Sequence, residues 1–459
     1  MNNIFFGKGW AFKVYKSEFY KSFDLLSLQY LDIKKYPYLL ESSSRGNLKN
    51  RYSILFYKPE YSFEKNTNNF LSELDKHWLR NKIDQDKLVW KDKKLPFVGG
   101  WFVYFGYELS KEIEPTLNTP DSPFELPTAF ASRVKTALIF DHVDNEIFLV
   151  SEDTEKFKTI CKDIETDFDQ MIKVKNNSIG NIELLNKGSE QEHQSQVRKC
   201  IEYIFQGEIF QANLSRLWNY KVDNGIKAVD IYKQLRIKNP SPFSGLVNYN
   251  DSFIISSSPE RLVSVNDSFL ETRPIAGTRP RGSSGLHDIE LSHELINSDK
   301  EKAEHLMLVD LERNDISKIC EPGSVKVNEM MTIESYAHVH HIVSNVCGQK
   351  IKNVSPGKVI SSVFPGGTIT GCPKVRCMEI LGELEKIGRG PYTGSFGYIT
   401  HSGNMDVNIL IRSMLLENNN LYFRAGGGIV ADSAPEAETL ETEAKANGML
   451  NALKAFDDV

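Results

Sequence analysis

A hairpin pattern constrains the fold more than any other sequence feature. Residues 136–151 read TALIFDHVDNEIFLVS, in which two apolar runs flank a short polar segment. Two such runs joined by a few polar residues predict a β-hairpin, whose strands are antiparallel. The runs SFIISSS, GSFGYIT and NLYFRA also read as short strands. We therefore expect antiparallel sheets.

Long helical stretches alternate irregularly with these strands. The apolar spacing predicts helices over about 287–318, 372–387 and 436–455. Hairpins combined with long helices favour an α+β fold over a doubly wound parallel sheet. Residues 1–175 form a chemically quiet N-terminal region, whereas the motifs concentrate in residues 190–459.

Composition excludes several classes of protein. The net charge of -6 argues against nucleic-acid binding, which usually needs a basic excess. The six cysteines form no CxxC pair, which favours reduced thiols. No apolar run approaches the roughly 20 residues that span a bilayer, and the N-terminus lacks the order of a signal peptide. We expect a soluble, cytoplasmic protein that binds neither membrane nor nucleic acid.

The stretch RPIAGTRPRG, residues 273–282, combines turn-forming residues with arginines at 273, 279 and 281. Proline and glycine favour a bent backbone, and arginine is suited to binding anions. The stretch is therefore a candidate wall of an anion site.

Two groups of glutamates are candidate metal ligands. Glu301 and Glu304 lie three residues apart on one helical face, as do Glu438 and Glu441, with Lys445 on the same face. Carboxylates from two helices suit Mg²⁺, a hard cation. A structural role is the commoner one for each pair alone, because Ser298 and Glu301 match a capping box and Glu441 and Lys445 match a surface ion pair.

Glycine, histidine and arginine add further candidates. Consecutive glycines at Gly426, Gly427 and Gly428 can form an anion-binding nest, with a turn or bulge as the alternative. His340 and His341 should point to opposite faces of a strand, and one of them is a candidate acid–base group. Arg412 is expected inside an apolar strand with a fixed anionic partner. Together these residues indicate a Mg²⁺-dependent enzyme acting on a small carboxylate.

Eight motifs in order resemble one family. SSSPERL, RPIAGTRPRG, DKEKAEHLMLVDLERND, HVHHIVS, GTITGCPKVRCMEI, GPYTGSFGYI, MDVNILIRS and AGGGIVADSAPEAETLETEAKA resemble the chorismate-utilising enzymes, which include the synthases of anthranilate, aminodeoxychorismate, isochorismate and salicylate. The resemblance implies a layered core of two antiparallel β-sheets flanked by helices, in which the N-terminal region interleaves with the catalytic region.

The resemblance also implies roles for individual residues. Glu260 is expected to be the general acid for the C4 hydroxyl of chorismate, with His341 and Thr278 beside the ring. Tyr392 and Arg412 are expected to hold the enolpyruvyl carboxylate. The Mg²⁺ shell and the remaining substrate contacts are expected to be Glu301, Glu304, Glu438, Glu441, Thr368, Lys445 and Gly426–Gly428.

Gln211 and Ala276 bear on which reaction is catalysed. Water-using members of the family carry a lysine base at the position of Gln211, and a neutral amide cannot deprotonate water. This favours transfer of ammonia, and SSSPERL and VNILIRS look more like aminodeoxychorismate synthase component I, of the p-aminobenzoate and folate pathway. Many such enzymes have a nucleophilic lysine where this chain has Ala276, so anthranilate synthase component I is the alternative. The sequence shows no glutaminase region, so a separate glutamine amidotransferase subunit is expected to supply ammonia.

Overall fold

The computed structural model describes residues 4–16, 23–43, 51–65, 69–83, 85, 87–171, 180–282, 284–335 and 339–456; of Thr278 and Pro280 it describes the main chain alone. The helices are α1 Leu25–Leu31, α2 Phe70–Arg80, α3 Ser110–Ile113, α4 Phe157–Gln170, α5 Glu190–Phe205, α6 Ala228–Lys238, α7 Gly285–Asn297, α8 Asp299–Ser317, α9 Pro356–Val363, α10 Lys374–Glu385 and α11 Pro435–Leu453.

The strands are mostly short, as the sequence predicts. They are β1 Ile4–Gly7, β2 Trp10–Lys16, β3 Tyr38–Glu41, β4 Tyr52–Tyr57, β5 Tyr61–Glu64, β6 Val89–Trp90, β7 Lys93–Lys94, β8 Gly100–Phe105, β9 Ala129–Val134, β10 Thr136–Asp141, β11 Glu146–Ser151, β12 Ile182–Asn186, β13 Gln211–Val222, β14 Phe243–Tyr249, β15 Ser252–Ser258, β16 Arg261–Asn266, β17 Phe269–Thr272, β18 Ile275–Pro280, β19 Lys326–Ser335, β20 Val339–Gln349, β21 Gly371–Cys372, β22 Ser395–Thr400, β23 Met405–Asn408, β24 Ser413–Glu417 and β25 Asn420–Ile429. However, β13, β19, β20 and β25 have ten residues or more.

Most of these strands form two large antiparallel sheets. The first has the order β1-β2-β11-β10-β4-β3-β14-β15-β24-β25-β13-β12, with β21 also paired to β13. The second has the order β18-β20-β17-β16-β23-β22-β8-β9-β5, with β19 also paired to β20. The hairpin β10–β11 runs in register from Thr136 opposite Ser151 to Asp141 opposite Glu146. The predicted α+β fold with two antiparallel sheets is confirmed.

The sheets pack face to face in the middle of the molecule. Aromatic side chains fill the space between them, and the rings of Tyr38 on β3 and Phe102 on β8 stack with centroids 4.1 Å apart. Helices α1, α4, α6 and α11 cover the outer face of the first sheet, and α2, α8 and α9 cover the second. Each sheet therefore buries both faces, which explains strands that are apolar throughout rather than alternating.

Strands from the two ends of the chain share both sheets. In the first sheet β3 pairs with β14, and in the second β8 pairs with β22. The region before residue 175 therefore forms part of the same layers as the region after residue 190.

The predicted helix over 287–318 is two helices. Ser298 adopts an extended conformation between α7 and α8, and its hydroxyl accepts a hydrogen bond from the Glu301 amide. Ser298 therefore starts α8 as an N-cap, which is one half of the predicted capping box. None of the helices in the described ranges is long and apolar enough to cross a membrane.

Candidate active site

Two neighbouring chain crossings between the sheets form the centre of the site. The chain passes from β15 in the first sheet to β16 in the second through Glu260, and it returns from β23 to β24 through residues 409–412. The amide of Ile409 donates a 3.0 Å hydrogen bond to the Glu260 carbonyl, which joins the two crossings. Glu260 and Arg412 thus lie on adjacent connections between the two sheets.

Glu260 has the environment of a proton donor. Its side chain is buried, and the Thr368 hydroxyl donates a 2.7 Å hydrogen bond to Oε1. Burial raises the pKa of Glu260 to about 8, even though the Thr368 bond works in the opposite direction. Desolvation disfavours the charged carboxylate, so this acid still carries its proton at neutral pH.

Arg412 is a half-buried cation beside Tyr392. Burial lowers the pKa of Arg412, and no carboxylate within the described ranges pairs with it. The sequence-based placement inside a strand is wrong: Arg412 is the residue before β24 and has a φ of 53°. The turn lies where the chain crosses from the second sheet to the first. A half-buried arginine without an internal carboxylate partner is suited to an anionic ligand.

The three glycines lie in strand β25. Gly426, Gly427 and Gly428 pair with residues 215, 214 and 213 of β13, so the predicted nest is wrong, and so is its turn or bulge alternative. A nest needs alternating right- and left-handed conformations, which a regular ladder does not allow. β24 pairs with β25 only as far as Phe423, so this part of β25 runs on beside β13 alone.

The three glycines of β25 have no side chains, which leaves space for neighbouring groups. A methyl group at Gly426 would lie 2.9 Å from the Tyr392 hydroxyl, and one at Gly428 would lie 2.1 Å from Gln211 Nε2. A methyl group at Gly427 would lie 3.3 Å from a carboxylate oxygen of both Glu438 and Glu441. The glycines therefore permit close approach of three different parts of the site.

Gln211 is connected to the acid through β13. Its side chain is buried, and its Oε1 has no hydrogen-bond partner. Two residues along the same face, Asn213 donates a 2.7 Å hydrogen bond to the carbonyl of Thr368, whose hydroxyl bonds Glu260. An unsatisfied buried amide oxygen is costly, so Oε1 is suited to accepting a hydrogen bond from a ligand.

The four predicted metal ligands influence one another. Burial raises the pKa of Glu304, and the charges of Glu301, Glu441 and Glu438 raise it further. Burial raises the pKa of Glu438 too, and its Oε2 is buried without a partner. Carboxylates that raise one another's pKa in this way fit a hard divalent ion.

Two of these carboxylates already have cationic partners. Arg279 donates a 3.2 Å hydrogen bond to Glu301 Oε1, and Lys445 lies 2.7 Å from Glu441 Oε1, the pair that the sequence offered as a structural alternative. Within the described residues, no three His, Cys, Asp or Glu side chains are close enough together to hold a metal ion as they stand. The chemical character of the set fits Mg²⁺, and binding would require Glu301 and Glu441 to turn away from these partners.

The arginines of RPIAGTRPRG bind internal acids. Arg273 pairs with Glu329 and Glu334, and Arg281 pairs with Asp288 on α7. Arg279 pairs with Glu294 as well as with Glu301. Their carboxylate partners come from surrounding helices and strands, so the proposal that these arginines form the wall of an anion site is not supported by the described contacts.

His341 and Ala276 lie on paired strands. Ala276 is opposite Ile342, and the main chain of Thr278 is opposite His341. Burial lowers the pKa of His341 to about 4, so its ring is neutral at pH 7. The two histidines do point in different directions, because His340 bonds Asp288 at 2.9 Å while His341 faces the Gly277 carbonyl. The side chain of Thr278 lies outside the described part, as does the whole of His338.

One carboxyl of the site is absent from the sequence-based prediction. Glu312 on α8 is buried close to Glu260. It lies eleven residues after Glu301, about three helical turns, and therefore on the same face of α8. That spacing was a usable signal, since Glu301, Glu304 and Glu312 share one stripe.

Comparisons with known proteins bear on the family of the chain. The family model described as chorismate binding enzyme matches residues 36–451. The anthranilate synthase component 1 of Saccharolobus solfataricus is 38% identical over 95% of this chain and 98% of its own length. The aminodeoxychorismate synthase component 1 of Bacillus subtilis is 38% identical over 79% of this chain and 78% of its own.

A solved structure shows the same fold. The crystal structure of anthranilate synthase component I from Streptococcus pneumoniae has a TM-score of 0.74 and 30% identity, covering 88% of this chain and 93% of that one. The family match includes Glu260, Arg412 and all four candidate metal ligands. The chain therefore belongs to the family of chorismate-binding enzymes.

Proposed function

We propose that this enzyme aminates chorismate with ammonia to give 4-amino-4-deoxychorismate, the precursor of p-aminobenzoate in folate synthesis. The observation that carries the proposal is a proton-bearing acid, Glu260, connected through Thr368 and Asn213 to a neutral amide, Gln211. The acid would protonate the departing hydroxyl. The amide cannot act as a base that deprotonates water.

Departure of the C4 hydroxyl needs a proton, because hydroxide is a poor leaving group. The Glu260 carboxyl donates that proton, the C4–O bond breaks and water leaves. Ammonia nitrogen forms the new bond at C4, and the proton that it then sheds restores Glu260. The sum is chorismate plus ammonia giving aminodeoxychorismate plus water. Thr368 fixes the carboxyl through its hydrogen bond to Oε1.

Charged groups around this acid match the two carboxylates of chorismate. Arg412 and Tyr392 would hold the enolpyruvyl carboxylate, and the half-buried arginine, which has no internal carboxylate partner in the described part of the chain, supports this role. Glu301, Glu304, Glu438 and Glu441 would hold Mg²⁺, which when bound supplies positive charge to the ring carboxylate. Lys445 would add a further cation once it parts from Glu441.

Gln211 is the residue that favours transfer of ammonia over addition of water. A primary amide cannot take a proton from water near pH 7, whereas ammonia attacks without a base. The unsatisfied Oε1 of Gln211 is a hydrogen-bond acceptor suited to an N–H donor such as ammonia. We propose that ammonia comes from a separate glutamine amidotransferase subunit.

The alanine at position 276 favours anthranilate synthesis as the second candidate function. A methyl side chain cannot form the covalent adduct that a lysine would form with the ring, and relatives named anthranilate synthase component 1 match this chain over more than nine-tenths of its length. That reaction would also release pyruvate.

Ammonium dependence tests the proposed nitrogen source. The purified chain with chorismate and Mg²⁺ should consume chorismate when ammonium is added and not when glutamine is added alone. The Gln211→Lys variant should divert part of the chorismate to a hydroxylated isomer, because a lysine amine can activate water. Consumption that is equally fast without ammonium would contradict amination, and an unchanged product ratio in Gln211→Lys would contradict the role given to Gln211.

A further inference from the structure

Glu312 is a second buried carboxyl behind the proposed acid. Its side chain lies on α8 and faces the 3-10 turn Gly367–Ile369. A methyl group at Gly367 would lie 3.3 Å from Glu312 Oε1, so the Glu312 carboxyl lies close to the main chain of Gly367. The carboxyl is thus held against the main chain of this turn.

The same turn also holds Glu260. Thr368, the residue after Gly367, donates its hydroxyl hydrogen bond to Glu260 Oε1. Two adjacent residues of one turn therefore contact the two carboxyls. Thr370 fixes the turn, since its hydroxyl donates a 3.0 Å hydrogen bond to the Gly366 carbonyl.

The charges around the pair are few and identifiable. The charged groups near Glu312 are Asp315 and Lys374, and Asp315 forms ion pairs with Lys374 and Lys318. The cation that acts on Glu260 is Lys445. The negative charge of Glu312 raises the pKa of Glu260 in addition to the effect of burial. Lys445 acts on Glu260 in the opposite direction.

The two carboxyls titrate as an interacting pair. Burial, with the charge of Asp315, raises the pKa of Glu312 to about 7, and burial raises the pKa of Glu260 to about 8. Both carboxyls therefore titrate over the same pH range, and the negative charge of one opposes ionisation of the other.

We propose that Glu312 is a positioning residue that keeps Glu260 in its proton-bearing form during turnover, by placing a negative charge behind the Gly367–Thr368 turn. The proposal rests on the proposed function in that Glu260 is taken as the general acid. Glu312 itself need not touch chorismate, because its charge acts on Glu260, which contacts the next residue of the same turn.

The titration of Glu260 can be measured without any reaction. Protein labelled with ¹³C at the glutamate δ-carbon gives a carboxyl spectrum, in which comparison with Glu260→Gln identifies the Glu260 signal. Glu312→Gln should lower the pH midpoint of that signal by about one unit, because a nearby like charge is removed. Glu312→Asp keeps the charge and should hold the midpoint nearer to the wild-type value. Asp310→Asn removes an exposed carboxylate from the same helix and should leave it unchanged.

An unchanged Glu260 midpoint in folded Glu312→Gln would overturn the proposal. Should that variant not fold, Glu312→Met buries no polar group and should show the same lowering. The activity profile gives a second readout: kcat of Glu312→Gln should fall at a pH about one unit lower than in wild type, with KM for chorismate unchanged. A wild-type chain that does not consume chorismate would contradict the proposed function alone, since the titration needs no substrate.

Discussion

The hydroxyl of Thr368 donates a 2.7 Å hydrogen bond to Oε1 of Glu260, a carboxyl that burial keeps protonated to about pH 8. The two residues come from different places in the chain, a 3-10 turn and a crossing between sheets. Their contact joins the proposed acid to the strand that carries Gln211, through Asn213.

The activity of the wild-type enzyme should decline in alkaline solution. Glu260 acts in its protonated form, so kcat/KM should fall as the pH rises through about 8, the pKa of this carboxyl. Free ammonia also rises with pH, so total ammonium must be adjusted to hold ammonia constant. A rate that stays level to pH 9.5, roughly 1.5 units beyond that pKa, would show that no such acid limits the reaction.

Replacement of Thr368 should move the alkaline decline in activity to higher pH. The Thr368 hydrogen bond lowers the pKa of Glu260, so Thr368→Val should shift the decline to higher pH while reducing kcat by about tenfold through lost positioning. Thr368→Ser retains a hydroxyl and is the matched control. A decline that moves to lower pH in Thr368→Val would contradict this electrostatic role.

Arg412 should be needed for binding and not for stability. Arg412→Met removes a half-buried cation that has no carboxylate partner in the described part of the chain, so chorismate affinity should fall by about 10- to 100-fold while Tm stays level or rises. Arg389→Met is the contrasting variant. It strips Glu385 of a fully buried ion pair and should lower Tm markedly. Loss of stability in Arg412→Met equal to that in Arg389→Met would argue for a structural arginine.

Substitutions at Gly428 and Gln211 should have non-additive effects on activity. A methyl group at Gly428 would overlap Gln211 Nε2, so Gly428→Ala should displace the amide and reduce ammonia-dependent turnover by about tenfold or more. In a Gln211→Ala background the same change should have little further effect, since the obstructing atoms are gone. Simple additivity in the double variant would refute the contact.

Magnesium should stabilise the protein through the carboxylates of α8 and α11. Mg²⁺ relieves the repulsion between the carboxylates around Glu304 and Glu438. Adding it without chorismate should therefore raise Tm by a few degrees, which corresponds to about 1–3 kcal/mol in the free energy of unfolding. Glu438→Gln should abolish most of that rise. Glu436→Gln, on the exposed side of α11, should keep it. An equal Mg²⁺ response in both variants would place the metal elsewhere.

Part of the fold could be predicted from local patterns because some neighbouring strands form local hairpins. β10 and β11 begin and end where the two apolar runs of TALIFDHVDNEIFLVS indicate, and β15 coincides with SFIISSS. The partners of these strands could not be predicted, since pairing of β3 with β14 joins residues some two hundred positions apart. Such pairing depends on long-range packing, which short windows do not contain.

The errors at the site also have a tertiary origin. Arg412 looked like a strand residue because its neighbours are apolar, yet the chain turns there to change sheets. Gly426–Gly428 looked like a nest because glycine permits positive φ, whereas here the missing Cβ atoms admit Gln211, Tyr392 and two glutamates. Glu260 emerged from the family resemblance, and its raised pKa required knowledge of what buries it.

Product identification tests amination at C4 most directly. Purified protein would be incubated with chorismate, Mg²⁺ and ammonium, and the mixture analysed for pyruvate and for fluorescent anthranilate. Aminodeoxychorismate synthesis predicts no pyruvate, and p-aminobenzoate only after a lyase is added. Immediate release of pyruvate together with anthranilate would contradict it and would identify Ala276 as the residue that marks the reaction.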